Sequence, residues 1–83
     1  MSNLKFNYDK KHDVLYISIG DPRPSYGDEI IEGIIIRKDF DTDEITGITI
    51  IDFMERLSKN DKELDNLPKE INLKDYNLCE IIN

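Results

Sequence analysis

Two short runs on either side of a polar turn constrain the fold most, because both alternate between two kinds of face. In residues 4–9 apolar and polar side chains alternate, and in residues 14–19 Leu15, Ile17 and Ile19 share one face. This period of two is typical of β-strands with one buried face. The intervening residues 9–13 are polar and suit a tight turn. The sequence therefore predicts a β-hairpin that fixes the first third of the chain.

Two further strands are predicted downstream, at residues 29–37 and 44–52. Between the hairpin and the third strand lies a loop, residues 20–27, in which Pro22 and Pro24 remove backbone donors. Isoleucine dominates both later strands, and its stiff, branched side chain suits a pleated surface. Gly47 inside the fourth strand predicts a bulge or a close approach of two backbones.

The hydrophobic period changes after Asp52, where apolar residues recur at helical spacing at Phe53, Leu57, Leu64 and Leu67. Asp52 is the expected N-cap and Glu55 occupies the third helical position, a variant of the capping box. Pro68 is expected to end the secondary-structure element that precedes it. The tail beyond it favours a short helix after Asn72, while the alternation of Ile71 and Leu73 suits a strand as well.

These elements predict an α+β fold: a four-stranded antiparallel β-meander with one or two C-terminal helices packed on one face. The 83 residues form a single domain. Residues 4–57 hold the sheet and the start of the helix, and residues 58–83 form a helical or irregular tail.

The third and fourth strands carry isoleucine on both faces. The helix after Asp52 can cover only one of these faces, so the second apolar face must be covered by something else. Exposed apolar patches on small domains usually mark interfaces. We therefore predict a homodimer. The alternative is a monomer in which the tail folds back over the second face.

The charge and composition of the chain limit the kinds of partner and the location that we expect. The chain has 18 acidic and 11 basic residues, for a net charge of −7. Such a surface repels phosphate backbones, so we expect no nucleic-acid partner and regard a small basic protein as the natural complement. No apolar run suits a signal peptide or a membrane span. The lone Cys79 cannot form an intrachain disulfide, fits a cytoplasmic location, and is expected to pack among apolar tail residues.

Asp9, His12 and Asp13 form the pattern D-x-x-H-D in the first turn. Two carboxylates and an imidazole, with Glu29 from another strand, suit a divalent-metal or acid–base site. The interpretation we favour is a turn, in which the two aspartates accept hydrogen bonds from nearby amides and His12 is solvated. No catalytic residue, metal ligand or cofactor is predicted.

Asp39, Asp41 and Asp43 resemble the start of a calcium loop. An EF-hand needs glycine at its sixth position and an acidic residue at its twelfth. Those positions hold Glu44 and Ile50. We therefore predict a hairpin turn, with weak cation binding left open.

The pattern Y-D-x-x-x-D-x-L-Y-I-x-I at residues 8–19 resembles the hallmark of a small prokaryotic family, domain of unknown function 2283. The resemblance continues through Glu29, the G-I-I-I run from Gly33, the acidic turn 39–43 and I-x-G-I-x-I at 45–50. It covers roughly residues 4–57.

The resemblance implies a small α+β domain without an established activity. Some members are encoded beside small basic proteins that resemble toxins, which implies an antitoxin-like binding role. We therefore expect a non-catalytic protein-binding or regulatory module. The alternatives are a metal-dependent hydrolytic enzyme built on the Asp9–His12–Asp13 turn and a purely structural domain. The candidate interaction or motif residues are Tyr8, Asp9, Asp13, Tyr16 and Glu29, with both tyrosines at an interface edge.

Overall fold

The chain forms an antiparallel sheet followed by three short helices in a computed structural model, which describes residues 4–68, 71, 73 and 76–82. The strands are β1 (Leu4–Asp9), β2 (Val14–Ile19), β3 (Ser25–Ile31), β4 (Ile34–Asp39) and β5 (Ile45–Ile51). The helices are α1 (Phe53–Ser58), a 3-10 helix (Lys62–Asn66) and α2 (Leu78–Ile82). The expected α+β class is confirmed.

The strand order is β1-β2-β5-β4-β3, with every neighbouring pair antiparallel. The predicted meander is therefore wrong, because β2 pairs with β5 rather than with the next strand along the chain. The proline-containing loop carries the chain past this position, and β5 takes the centre. Ile48 and Ile50 of β5 are fully buried there, and β5 has a paired strand on each edge.

The predicted third strand, residues 29–37, is in fact two strands, which makes five strands instead of four. Ile31 pairs with Ile34 across a tight turn at Glu32 and Gly33, next to a register shift in β3. Gly33 has a φ of 86°, a conformation that residues with a Cβ rarely adopt. In a single strand Ile30 and Ile34 would lie on the same face. The turn separates them, since Ile30 is exposed while Ile34 is buried.

Gly47 fulfils both parts of its prediction. The register between β4 and β5 shifts beside it. A Cβ at this position would collide with the carbonyl oxygen of Ile17 on β2. Only glycine lets the central pair of strands approach this closely.

The hydrophobic core lies on one face of the sheet. Its buried strand residues are Leu15, Ile17, Ile34, Ile36, Ile48 and Ile50, and Phe53, Ile71 and Ile81 cover them. Each such side chain contributes roughly 1.5–3 kcal/mol when fully buried. The described part of the tail therefore packs on the same face as α1, not on the second face.

The tail differs from expectation in two respects. Its helix α2 spans Leu78–Ile82, while the expected start at Asn72 lies outside the described residues. Ile71 and Leu73 are not in a strand. Cys79 is exposed instead of packed, because α2 turns Ile81, two positions on, toward the core.

Within the described ranges, the structure contains no helix long and apolar enough to cross a membrane.

Candidate functional site: the hairpin latch and two exposed surfaces

The carboxylate of Asp13 joins the first hairpin to α1. Its Oδ1 accepts hydrogen bonds from the Met54 amide at 2.9 Å and from the Tyr8 hydroxyl at 2.6 Å. Its Oδ2 accepts from the Glu55 amide at 3.3 Å, and the Asp13 carbonyl accepts from the Phe53 amide at 3.1 Å. These contacts satisfy donors of the first helical turn that have no partner within a helix. We call Tyr8, Asp13 and these three amides the latch.

The latch corrects the predicted helix cap. Asp52 adopts a left-handed conformation, φ 59° and ψ 44°, and its side chain makes no capping hydrogen bond. Glu55 does not complete a capping box either, and its carboxylate lies 3.2 Å from Lys59 Nζ. The acceptor comes from Asp13, distant in sequence, because packing of α1 on the core aims its first amides at the β1–β2 turn.

The hydrogen bonds of the latch change two pKa values. Partial burial opposes the charged form of Asp13, but bonds from Tyr8, Met54 and Glu55 outweigh it and leave the Asp13 pKa below its ordinary value. The hydrogen bond to Asp13, followed by desolvation, raises the pKa of Tyr8 to about 12. The carboxylate therefore stays ionised and the phenol stays protonated, which is the pairing that the latch requires.

Asp9 closes the turn beside the latch, as expected. Its Oδ1 accepts from the amides of Lys11 at 3.1 Å and His12 at 3.2 Å, and its Oδ2 lies 2.8 Å from His12 Nδ1. The hydrogen bond from the His12 ring is the main reason why the Asp9 pKa is lowered. His12 is exposed, as predicted. Asp9 and Asp13 thus stabilise separate parts of the hairpin.

Glu29 closes a different turn, at the far edge of the sheet. Its Oε2 accepts from the Gly33 amide at 2.9 Å. Three strands separate β3 from β1, which places Glu29 roughly 19 Å from Asp9 at ordinary strand spacing. The sheet therefore does not bring Glu29 to the Asp9–His12–Asp13 turn. Among the residues that the structure describes, no group of three or more His, Cys, Asp or Glu residues is placed to hold a metal ion.

Arg56 of α1 clamps the same far turn. Its Nη2 donates to the carbonyl of Glu32 at 2.7 Å, and its Nε donates to the carbonyl of Ile51 at 2.8 Å. Its Nη1 pairs with Asp61 Oδ2 at 2.8 Å. A Cβ on Gly33 would overlap the Arg56 guanidinium. No local pattern signals this clamp, because two of its three acceptors are main-chain carbonyls that the fold brings to Arg56.

The β4–β5 turn is a hairpin turn, as predicted, and not a calcium loop. Asp39 Oδ1 accepts from the amides of Asp41 at 2.7 Å and Thr42 at 3.2 Å, and Arg23 lies 3.2 Å from its other oxygen. The Asp41 amide is the main reason why the pKa of Asp39 is lowered. Asp39 is therefore the structural carboxylate of this turn.

An aromatic pair, the exposed Phe40 and the half-buried Tyr26, lies at the same turn. Phe40 is 64% exposed, and its ring centroid is 5.7 Å from that of Tyr26. The Tyr26 hydroxyl donates to Asp43 at 2.7 Å, which raises the pKa of Tyr26. We define the acidic tip as Tyr26, Phe40, Asp41, Asp43 and Glu44. Phe40 is not among the predicted interaction residues, because its neighbours in the turn are polar and indicate only a hairpin turn.

The sheet face opposite the core is the second exposed surface. By strand register and alternation, this open face carries Lys5, Asn7, Asp9, Val14, Tyr16, Ser18, Glu29, Ile35, Arg37, Thr49 and Ile51. Tyr16 is 42% exposed here, as an interface residue would be. Tyr8 is not at such an edge, because it lies on the core face, packs against Phe53 and bonds Asp13.

Comparison with known proteins gives one match. A family model described as "Protein of unknown function (DUF2283)" matches residues 5–53. No curated protein and no solved structure matched the chain. The matched range spans all five strands apart from Leu4, the first residue of β1, and ends at the first residue of α1. It includes Tyr8 and Asp13, the side chains of the latch, and the tail of residues 58–83 lies beyond it. Because the match covers more than half of the chain and confirms the resemblance of residues 8–19, the chain belongs to this family of proteins of unknown function.

Proposed function

We propose that the protein is a non-catalytic protein-binding module whose acidic tip takes a basic segment of a partner protein. The observation that carries the proposal is Phe40, which is 64% exposed and packs against the Tyr26 ring at a tilt of 47°, beside the carboxylates of Asp41 and Asp43. Lysine and arginine side chains bind aromatic faces and pair with carboxylates. The acidic tip offers both kinds of contact at one place.

The charges of the chain support a basic partner. The net charge is −7, and Asp41, Asp43 and Glu44 are exposed at the acidic tip. Complementary charge speeds encounter and selects partners, while a buried aromatic anchor supplies most of the affinity. A small basic protein, bound in an antitoxin-like manner, is the partner that this chemistry fits.

The motif residues support binding rather than catalysis. Tyr8, Asp9, Asp13 and Glu29 all make hydrogen bonds that hold turns or α1 in place. A general base needs a lone pair directed at a substrate. Nothing in this arrangement favours the hydrolytic alternative. The cytoplasmic location and the absence of nucleic-acid and membrane partners stay predictions.

The test is binding of a fluorescently labelled oligo-arginine peptide, followed by anisotropy at low and moderate salt. We expect Phe40→Ser to weaken binding about tenfold or more, since burial of such a ring contributes roughly 1.5–3 kcal/mol. The matched control is Leu78→Ser, because Leu78 is 40% exposed but lies on α2.

Equal affinity of Phe40→Ser and wild type would contradict the proposal. So would an equal loss of affinity in Leu78→Ser. If the affinity changes with salt but with neither substitution, the peptide is attracted non-specifically to an acidic protein and the acidic tip has no role. That outcome would favour the purely structural alternative.

A further inference from the structure

The open face presents an uncovered apolar strip across the middle of the sheet. Tyr16 pairs with Thr49, and Thr49 pairs with Ile35, while Val14 pairs with Ile51. Tyr16 is 42% exposed and Ile51 is 37% exposed. Both α1 and the described part of the tail pack on the opposite face. No element within the described residues covers the strip.

Charge distinguishes the open face from the rest of the surface. By strand alternation the open face carries two cations, Lys5 and Arg37, and two carboxylates, Asp9 and Glu29. These charges balance, whereas the whole chain carries −7. The excess negative charge therefore lies elsewhere. A basic partner gains most at those other surfaces, while the open faces of two copies of this chain meet without an excess of like charge between them.

We propose that the open face is the interface of a symmetric homodimer in which two copies pack sheet against sheet. Such an interface is self-complementary, because the same patch serves both copies. The apolar strip supplies its centre, and the balanced charges supply its rim. This surface differs from the acidic tip, so the dimer does not depend on peptide binding there.

The topology identifies the centre of this interface. The middle strand of the five is β5, and Thr49 lies between Gly47 and Ile51 on the open face. A two-fold axis between stacked sheets runs parallel to the planes of the sheets. An axis that passes over the middle of the open face places β5 over β5 of the second copy, with Thr49 close to its own symmetry mate.

The size of the face sets the strength of the dimer. Five strands span about 24 Å and five residues about 17 Å, which gives about 400 Å² in projection. Stable interfaces bury about 800 Å² per partner. The dimer should therefore be of the weaker class, and its population should rise with concentration.

The test uses two opposite charges at Thr49. Sedimentation velocity over a range of concentrations should show wild type shifting from monomer to dimer. Thr49→Glu and Thr49→Lys should each stay monomeric, because like charges would meet at the axis. An equimolar mixture of the two variants should regain the dimer mass, since opposite charges then meet. Asn66→Glu, an exposed position on the 3-10 helix, should dimerise like wild type.

Circular dichroism of each variant establishes that it is folded. A wild type that stays monomeric at the highest concentration would overturn the proposal. The same follows if Thr49→Glu dimerises like wild type, or if the mixture of two folded variants stays monomeric.

Discussion

Because the Asp13 carboxylate is the acceptor of the latch, we expect its removal to lower the free energy of unfolding far more than removal of an exposed carboxylate would. Asp13→Ala removes the acceptor of two α1 amides and of the Tyr8 hydroxyl. Loss of a helix cap costs about 1 kcal/mol, and loss of a hydrogen bond to a side chain costs about 1 kcal/mol. Asp13 also has a φ of 54°, where alanine is strained by about 1 kcal/mol.

The three effects together predict a loss of about 3 kcal/mol in the free energy of unfolding. That is a large part of the 5–15 kcal/mol available to an ordinary small protein. Asp13→Asn separates the contributions, because asparagine tolerates this backbone conformation and keeps one acceptor oxygen. It loses the charge and the acceptor oxygen that bonds one α1 amide, so we expect a loss of about 1 kcal/mol in the free energy of unfolding.

Urea denaturation measures both values, as a lower midpoint with an unchanged slope. The matched control is Asp21→Asn, which neutralises a carboxylate on an exposed loop residue and should leave the midpoint in place. A double-mutant cycle of Tyr8→Phe with Asp13→Ala should reveal coupling, since each variant removes one partner of the 2.6 Å hydrogen bond. Unfolding of Asp13→Ala at the wild-type midpoint, or independent effects in the cycle, would refute the latch.

Two further predictions concern pH and the far turn. The folded-state pKa of Asp13 is lowered, so its contribution to stability is complete above the unfolded pKa of about 3.9 and is lost as pH falls through the folded value. The raised pKa of Tyr8 acts in the opposite range: its contribution is complete below about 10 and is lost as pH rises through about 12. Melting temperatures measured against pH should show both losses, and Asp13→Asn should flatten the acid limb; an unchanged acid limb in that variant would be contrary evidence. Gly33→Ala should cost about 1–3 kcal/mol by urea denaturation, because it combines a φ of 86° with overlap of Arg56. Gly20→Ala is the control, since Gly20 has a φ of 68° and open space around it, and equal losses in the two variants would argue against the Arg56 clamp.

Features that depend on neighbours in sequence were predictable. The alternation in β1 and β2 identified the first hairpin, and the position of Asp9 identified its turn. Gly47 could be recognised because a glycine inside a strand usually marks a bulge or close contact. The failed EF-hand spacing excluded a calcium loop at Asp39 without any coordinates.

Features that depend on distant contacts were not predictable in the same way. Alternation alone did not show that Gly33 takes a positive φ, so β3 and β4 were read as one strand. The helix cap was assigned to Asp52 because capping rules consider neighbouring residues. Its real acceptor, Asp13, is identifiable only when the hairpin and α1 are packed together.

Residues 4–19 by themselves determined the first hairpin and the face of it that enters the core. They did so because a strand turns successive side chains to opposite faces, and this rule needs no tertiary information. The tertiary structure alone decided that β5 pairs with β2, that Asp13 caps α1 and that the tail covers the same face as α1. Each of these joins segments far apart in the chain, where packing of the whole core, and not local preference, selects the partner.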